Sequence, residues 1–177
     1  MKSVGRFLLF CGLTTLAACA APADPARMAV TPVVDAAAFP ARLHNATCVR
    51  SVTGGEDTNP LWISKVGDAE FREALTASLR NSELLASSGA CPFPIDANLL
   101  GLAQPAMGFD LTVTAHINYK LYNPGGQGIL LETVSTPYTA HFSEAAIAVI
   151  RLQRANEGAI RASIGEFLDR VRRLGPE

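Results

Sequence analysis

The sequence predicts an α+β fold: a two-layer sandwich in which two helices cover one face of a four-stranded, mostly antiparallel sheet, in the order β-α-β-β-β-α. Apolar and polar residues alternate strictly over residues 109–122, which is typical of a strand with one buried and one solvated face. A turn-forming segment follows, and residues 129–142 return as a partner strand. Apolar residues at three-and-four spacing predict helices that begin near Asp68 and Ser143.

The predicted hairpin brings two apolar faces together along its whole length, apart from Tyr119, which faces Glu132. If Tyr122 faces Ile129, the remaining apolar pairs are Leu121 with Leu130, Ile117 with Val134, Val113 with Tyr138, Leu111 with Ala140, and Phe109 with Phe142. A shift of one residue would turn all of these pairs into mismatches, so the pattern also predicts the register. Pro137 cannot donate a ladder hydrogen bond, which predicts that this strand lies at an edge of the sheet or is broken there.

The other predicted elements are two strands and the details of the two helices. Residues 45–53 and 95–103 supply the strands on either side of the first helix. Ser143 is a suitable N-cap for the last helix, and Phe142 can pack on Ile147 as a hydrophobic staple. Gly158 and Gly165 each cost this helix roughly 1 kcal/mol relative to alanine. Close backbone approach to the sheet or to the first helix explains them best, with a kink as the alternative.

The first 18 residues have the features of a secretory signal. Two basic residues, Lys2 and Arg6, precede a short apolar run that ends in small residues, and the run is too short to span a membrane. The segment Leu16-Ala17-Ala18-Cys19 resembles the lipobox of bacterial lipoproteins, in which the cysteine thiol is lipidated and the chain is cut before it. The alternative is an ordinary signal peptide that is cut after an Ala-x-Ala triplet such as Ala18-Cys19-Ala20.

These features predict three regions. Residues 1–18 form a lipoprotein signal peptide, residues 19–43 an Ala/Pro-rich tether, and residues 44–177 a single periplasmic α+β domain. The tether carries four prolines and has neither helical nor strand periodicity, so we expect it to be semi-extended. Over ~20 residues it could hold the domain tens of ångströms from the membrane surface. A short strand at Val33-Val34 is the one element expected within it.

The charge balance and the cysteines limit the chemistry. Removal of the signal leaves 13 basic and 16 acidic residues, a net charge of −3, which does not favour nucleic acid as a partner. With Cys11 removed and Cys19 modified, Cys48 and Cys91 remain, and in an oxidising periplasm they most simply form a disulfide. Two free buried thiols are the alternative. A metal site is disfavoured because neither cysteine has a second ligand at a useful spacing.

Three residues are candidates for ligand or partner contact: Trp62, Tyr138 and His141. Trp62 follows a proline turn, where a tryptophan either fills the core or stacks on a ligand. In the predicted register His141 faces Asp110 and His116 faces Ser135, and the two pairs lie roughly 20 Å apart along the strand.

That separation bears on catalysis, because the members of a catalytic triad or the ligands of a metal ion must be within bonding reach. The two pairs are too far apart for either. We therefore expect cross-strand polar pairs, no catalytic residues, no metal and no cofactor.

Four segments resemble a family of uncharacterised alphaproteobacterial lipoproteins: residues 58–62, 108–114, 138–142 and 151–161. The family has no settled activity, so the resemblance implies no catalytic residues. The order of elements is similar to that of small outer-membrane lipoproteins that assist envelope assembly, of the LptE-like and transport-auxiliary type. This likeness implies a fold more than a function.

The function that these features favour is a non-enzymatic one. We expect a lipid-anchored binding or envelope-assembly factor on the periplasmic face of the outer membrane, attached through lipid on Cys19 and bound to an envelope protein. Ala20 after Cys19 resembles the pattern for outer-membrane sorting rather than inner-membrane retention. The solvated sheet face, the strand of Pro137 or the arginine-bearing last helix would supply the contact surface.

Two alternatives remain for the folded domain. The first is a small-molecule or lipid binder with a pocket near Trp62 and Tyr138, which requires a cavity larger than ~300 Å³. The second, and the least favoured, is a hydrolase that uses His141 and Asp110.

Overall fold

The computed structural model describes residues 21–31, 35–58, 64–87 and 89–175. It contains three helices and four strands, together with two short 3-10 turns at Ala36–Ala38 and Ala41–Leu43. In chain order the elements are α1 (Pro25–Met28), β1 (Thr47–Thr53), α2 (Asp68–Asn81), β2 (Phe93–Ala103), β3 (Leu111–Tyr122), β4 (Gly128–Ala140) and α3 (Ala148–Arg172). The strand predicted at Val33-Val34 lies outside the described residues.

The four strands form one mixed sheet in the order β1-β2-β3-β4. β1 and β2 are parallel, whereas the other two pairs are antiparallel. A parallel pair needs a crossover connection, and α2 supplies it between β1 and β2. The predicted α+β class with a mostly antiparallel sheet is therefore confirmed.

Tyr119 on β3 shows that α2 and α3 cover the same face of the sheet. Its fully buried ring meets Phe71 of α2 edge-on, with centroids 6.4 Å apart, and stacks on Phe167 of α3 at 4.4 Å. The Tyr119 hydroxyl lies 3.2 Å from the Ser163 hydroxyl, so the buried oxygen has a hydrogen-bond partner. Burial raises the pKa of Tyr119 far above its usual range, so the side chain stays neutral. The apolar core lies between this face and the helices.

The predicted register of the β3–β4 hairpin is confirmed along most of its length. Four predicted pairs are present: Leu121 with Leu130, Ile117 with Val134, Val113 with Tyr138, and Leu111 with Ala140. At the turn end the register shifts, and Tyr122 pairs with Gly128 instead of Ile129. The Asn123 side chain accepts hydrogen bonds from the amides of Gly125 and Gln127, which closes the turn one residue more tightly than predicted. β4 lies at an edge of the sheet, as Pro137 predicted.

The start of the last helix differs from the prediction. α3 begins at Ala148 with Ile147 at the N-cap position, so the predicted N-cap at Ser143 is wrong. The segment that precedes it turns instead, with the His141 amide donating to the Glu144 carboxylate at 2.9 Å. The buried guanidinium of Arg151 explains why the helix starts late. It binds the carbonyls of residues 145 and 146, at 2.5 and 3.2 Å, and holds them in a loop.

Gly158 and Gly165 have different environments. A Cβ added at Gly158 would lie 2.2 Å from the ring of Tyr138, so the predicted close approach of α3 to the sheet is present there. A Cβ at Gly165 would meet nothing within 4 Å among the described residues. Close approach therefore explains the first glycine and does not explain the second.

The predicted tether is wrong for the described residues from Ala23 onward, because they pack on the domain. Met28 and Leu43 are fully buried and Phe39 nearly so, all within the main hydrophobic core. The Val30 amide donates to the hydroxyl of Ser78 on α2 at 2.9 Å. Spaced apolar residues between short turns can fill gaps at the surface of a core without helical or strand periodicity, and here α1 contacts both α2 and α3.

Cys48 and Cys91 are joined in a disulfide, with Cα atoms 5.7 Å apart. The bond ties β1 to the segment just before β2, which encloses α2 in the closed loop. The predicted pairing is therefore present in the structure.

Candidate functional site

The structure does not bring the sequence-predicted site residues together. Cys19 and Trp62 lie outside the described residues, so neither the lipidation site nor the predicted tryptophan pocket is tested. Tyr138 packs on Gly158 of α3, whereas His141 follows β4 and pairs with Asp110. The two residues belong to separate environments.

Asp110 connects two loops at one end of the sandwich. One carboxylate oxygen accepts from the Phe142 amide at 2.9 Å, and the other lies 3.0 Å from Nδ1 of His141. These two hydrogen bonds, the amide contributing most, hold the pKa of Asp110 below its usual range. Asp110 is therefore a carboxylate that fastens the β2–β3 loop to the β4–α3 loop.

The second predicted polar pair lies apart from the first. His116 lies 2.8 Å from the Ser135 hydroxyl, as the register predicted. Ser135 and His141 are six residues apart, roughly 20 Å at the rise of a strand. Within the described part of the chain, Asp110 is the only hydrogen-bond partner of the His141 imidazole, so these residues do not form a triad. Nor do the described ranges contain a group of three or more His, Cys, Asp or Glu placed to hold a metal ion.

Tyr138 lines a polar pocket of about 140 Å³ beside α3. The pocket contains the buried carboxylate of Glu157, whose pKa is raised mainly by burial. Glu157 accepts from the Asp24 amide at 2.9 Å, and the Arg27 guanidinium lies 3.9 Å away. Glu157 therefore binds the N-terminal segment, and Arg161, four positions later in α3, lies over the Tyr138 ring at 5.7 Å.

A larger, mainly apolar groove of about 500 Å³ lies at the end of the molecule where the β2–β3 loop meets α3. It is lined by residues 104–108, by Leu111 and by Ala148, Val149 and Leu152 of α3. The composition of residues 104–108 in the β2–β3 loop predicts only a turn. The apolar Pro105-Ala106-Met107 run within that turn is the signal that could have indicated a surface with a function.

Exposed apolar side chains lie on the two loops and the first turn of α3 at this end of the molecule, and we call this set the apolar rim. Its members are Met107, Phe109, Phe142, Ile147 and Ile150. Met107 is 87% and Phe109 82% exposed, and the rings of Phe109 and Phe142 meet edge-on at 6.1 Å. The buried guanidinium of Arg151 contacts both loops of the rim. It lies 5.2 Å from the Phe142 ring and donates to the Gly108 carbonyl at 3.3 Å. The β2–β3 and β4–α3 loops are thus held together while Met107, Phe109 and Phe142 stay exposed to water.

The chain enters the domain beside the same groove. The Ala21 carbonyl accepts from the Ser64 hydroxyl at 3.2 Å, and the Pro22 carbonyl accepts from the side-chain amide of Gln153 at 2.7 Å. Gln104, which lines the groove, donates to the Ser64 carbonyl at 3.3 Å. Ala21 is therefore fastened to the end of the molecule that carries the apolar rim.

Comparison with known proteins finds no matching family model and no matching curated protein. Among solved structures, a Xanthomonas campestris protein from a family of unknown function (DUF330) matches with a TM-score of 0.50 and 13% identity, over 87% of this chain and 91% of that one. The two proteins share a fold. The chain also resembles a lipoprotein candidate from Caulobacter crescentus CB15 (TM-score 0.45, 11% identity, 58% and 77% coverage) and a hypothetical protein from Chlamydia trachomatis (0.47, 14%, 72% and 96%).

The Xanthomonas match, over 87% of this chain, supports the fold of the domain. At 13% identity it carries no functional residue over to this chain. Within the residues that the structure describes, no helix combines the length and hydropathy that a membrane span requires.

Proposed function

We propose that this chain is a lipid-anchored, non-catalytic protein of the bacterial envelope, held to the outer membrane by lipid on Cys19. The observation that carries this proposal is the lipobox-like segment at residues 16–19, together with the hydrogen bond that fastens Ala21, two residues after Cys19, to the folded domain. A lipid on Cys19 would attach the domain itself to the membrane without a further element. Two or three acyl chains at one cysteine hold a protein stably, whereas a single chain does not.

The edge strand β4 is the surface that we propose for a protein partner. β4 runs for 13 residues at an edge of the sheet, so its outward backbone groups can pair with an added strand. Pro137 has no N–H group and interrupts this edge, which leaves residues 130–136 as the usable stretch. The opposite edge is partly covered, since the Thr47 carbonyl of β1 accepts from the Ala86 amide at 2.8 Å. The partner would be an extended segment of another envelope protein.

Photo-crosslinking in the native host tests this role. A photoreactive amino acid at Leu131 or Thr133 is expected to capture the same envelope protein, whereas one at Glu73, exposed on α2, is expected to capture none. A synthetic peptide of the captured segment should then slow amide hydrogen exchange in residues 130–136. Equal capture from position 73, or a peptide that leaves β4 unprotected, would refute binding by strand addition.

A second candidate function is the binding of a small apolar or lipid molecule, which the groove of about 500 Å³ favours. Ala148 lines this groove, so an Ala148→Phe variant would fill part of it. Saturable binding of a fluorescent acyl probe that this variant abolishes, with β4 crosslinking unchanged, would favour this second candidate.

A further inference from the structure

The apolar rim and the point where the chain enters the domain lie at one end of the molecule. Gln104 connects them, because it lines the groove and donates to the carbonyl of Ser64, whose hydroxyl binds Ala21. Gln153, which binds Pro22, follows Leu152 of the groove directly in α3. Ala148 and Leu152 are four positions apart in α3, so they lie about 6 Å apart along the helix axis.

The distance from the lipid anchor to this end is fixed by chain length. Cys19 and Ala21 are two residues apart, and two residues span at most ~7 Å even when fully extended. A lipid on Cys19 would enter the bilayer at the membrane surface. The bilayer must therefore lie within about that distance of the end of the domain to which Ala21 is fastened.

The side chains at that end have the chemistry of a membrane contact. Phenylalanine, isoleucine and methionine side chains lower their free energy when they move from water into the boundary between headgroups and acyl chains. The loops that carry them do not need to reorganise for this. Asp110 and the buried guanidinium of Arg151 already clamp them together.

We propose that the apolar rim inserts into the surface of the bilayer that holds the Cys19 lipid, so that the domain lies directly on the membrane with the groove facing it. This inference rests on the proposed lipid anchor. It goes beyond that anchor, because it gives the domain one orientation on the membrane and identifies phospholipid as the molecule that the rim contacts. An extended tether would hold the domain tens of ångströms from the membrane, but Ala21 and Pro22 are already hydrogen-bonded to the domain.

A fluorescent probe on residue 109 tests the proposal in the complete, lipidated protein. The sequence holds four cysteines; with Cys11 removed, Cys19 acylated and Cys48 bound to Cys91, a Phe109→Cys variant presents a single free thiol. This thiol is labelled with the environment-sensitive fluorophore NBD, and the protein is reconstituted into phosphatidylcholine–phosphatidylglycerol vesicles. Lys120→Cys is the matched control, because Lys120 is exposed on β3 and lies roughly 30 Å farther from the rim.

We expect the probe at residue 109 to shift to the blue in vesicles and to lose at least half of its emission when spin-labelled acyl chains are included. The probe at residue 120 should show neither change. A probe at residue 109 that stays in water overturns the proposal. So does a blue shift without quenching by lipid, because it indicates that a second copy or another protein covers the rim.

Mass spectrometry of the same preparation tests the lipid anchor on Cys19 separately from the membrane contact of the apolar rim. A lipidated Cys19 with an unquenched probe at residue 109 overturns the membrane contact and leaves the proposed function in place. An unlipidated Cys19 overturns both.

Discussion

Removing the disulfide by replacing Cys48 and Cys91 with alanine is expected to lower the free energy of unfolding by about 4 kcal/mol. The bond closes a segment with a sequence separation of 43, and opening it restores conformational freedom mainly to the unfolded chain. The closed segment contains α2, so the loss weakens the attachment of α2 and β1 to the rest of the sheet. Urea unfolding of the double variant beside the oxidised wild type measures the difference.

Reduction of the wild type with dithiothreitol is the control for this experiment, because it opens the bond without changing a side chain. It should reproduce the loss seen in the double variant. A loss below about 1 kcal/mol in both would mean that the bond does not constrain the unfolded chain as the loop-entropy model requires.

Met28→Ala is expected to lower the free energy of unfolding by about 2–5 kcal/mol, as is typical for truncating a fully buried methionine. Met28 ends α1 and is 0% exposed within the main core, so alanine would leave a cavity there. The experiment tests whether the N-terminal segment is part of the domain. Thermal or urea unfolding monitored by circular dichroism provides the measurement.

Met107→Ala is the matched control for Met28→Ala. Its side chain is 87% exposed, so the same chemical change should alter the free energy of unfolding by less than about 0.5 kcal/mol. If Met28→Ala cost as little as this control, the segment would be a loose tether, as its composition first indicated.

The β3–β4 hairpin was predictable because its information is local. A side-chain period of two assigns each residue to a face, and the requirement that apolar faces match leaves one register. Four of the predicted pairs are present, from Leu121 with Leu130 to Leu111 with Ala140. The edge position of β4 followed in the same way from the missing N–H of Pro137.

The features that the sequence did not predict depend on contacts between distant residues. Met28, Phe39 and Leu43 are buried in the main hydrophobic core, and no period in the Ala- and Pro-rich segment marks them. Ser143 satisfies the local rule for an N-cap. Arg151 overrides that rule by binding the carbonyls of residues 145 and 146.

Among the candidate surfaces, too, one follows from local sequence patterns and the other depends on contacts between distant residues. The pairing of His141 with Asp110 was predictable from register. The apolar rim was not, because Phe109 and Phe142 become one surface only when two loops 33 residues apart in the chain are clamped together.

The central claim is that lipid on Cys19 holds this domain at the membrane, and the mass of the N-terminal peptide of the mature protein tests it most directly. We expect the mature chain purified from host membranes to begin at Cys19 and to carry two or three acyl chains on that residue. A mature chain that begins after Cys19, or one that begins at Cys19 with an unmodified thiol, would contradict it.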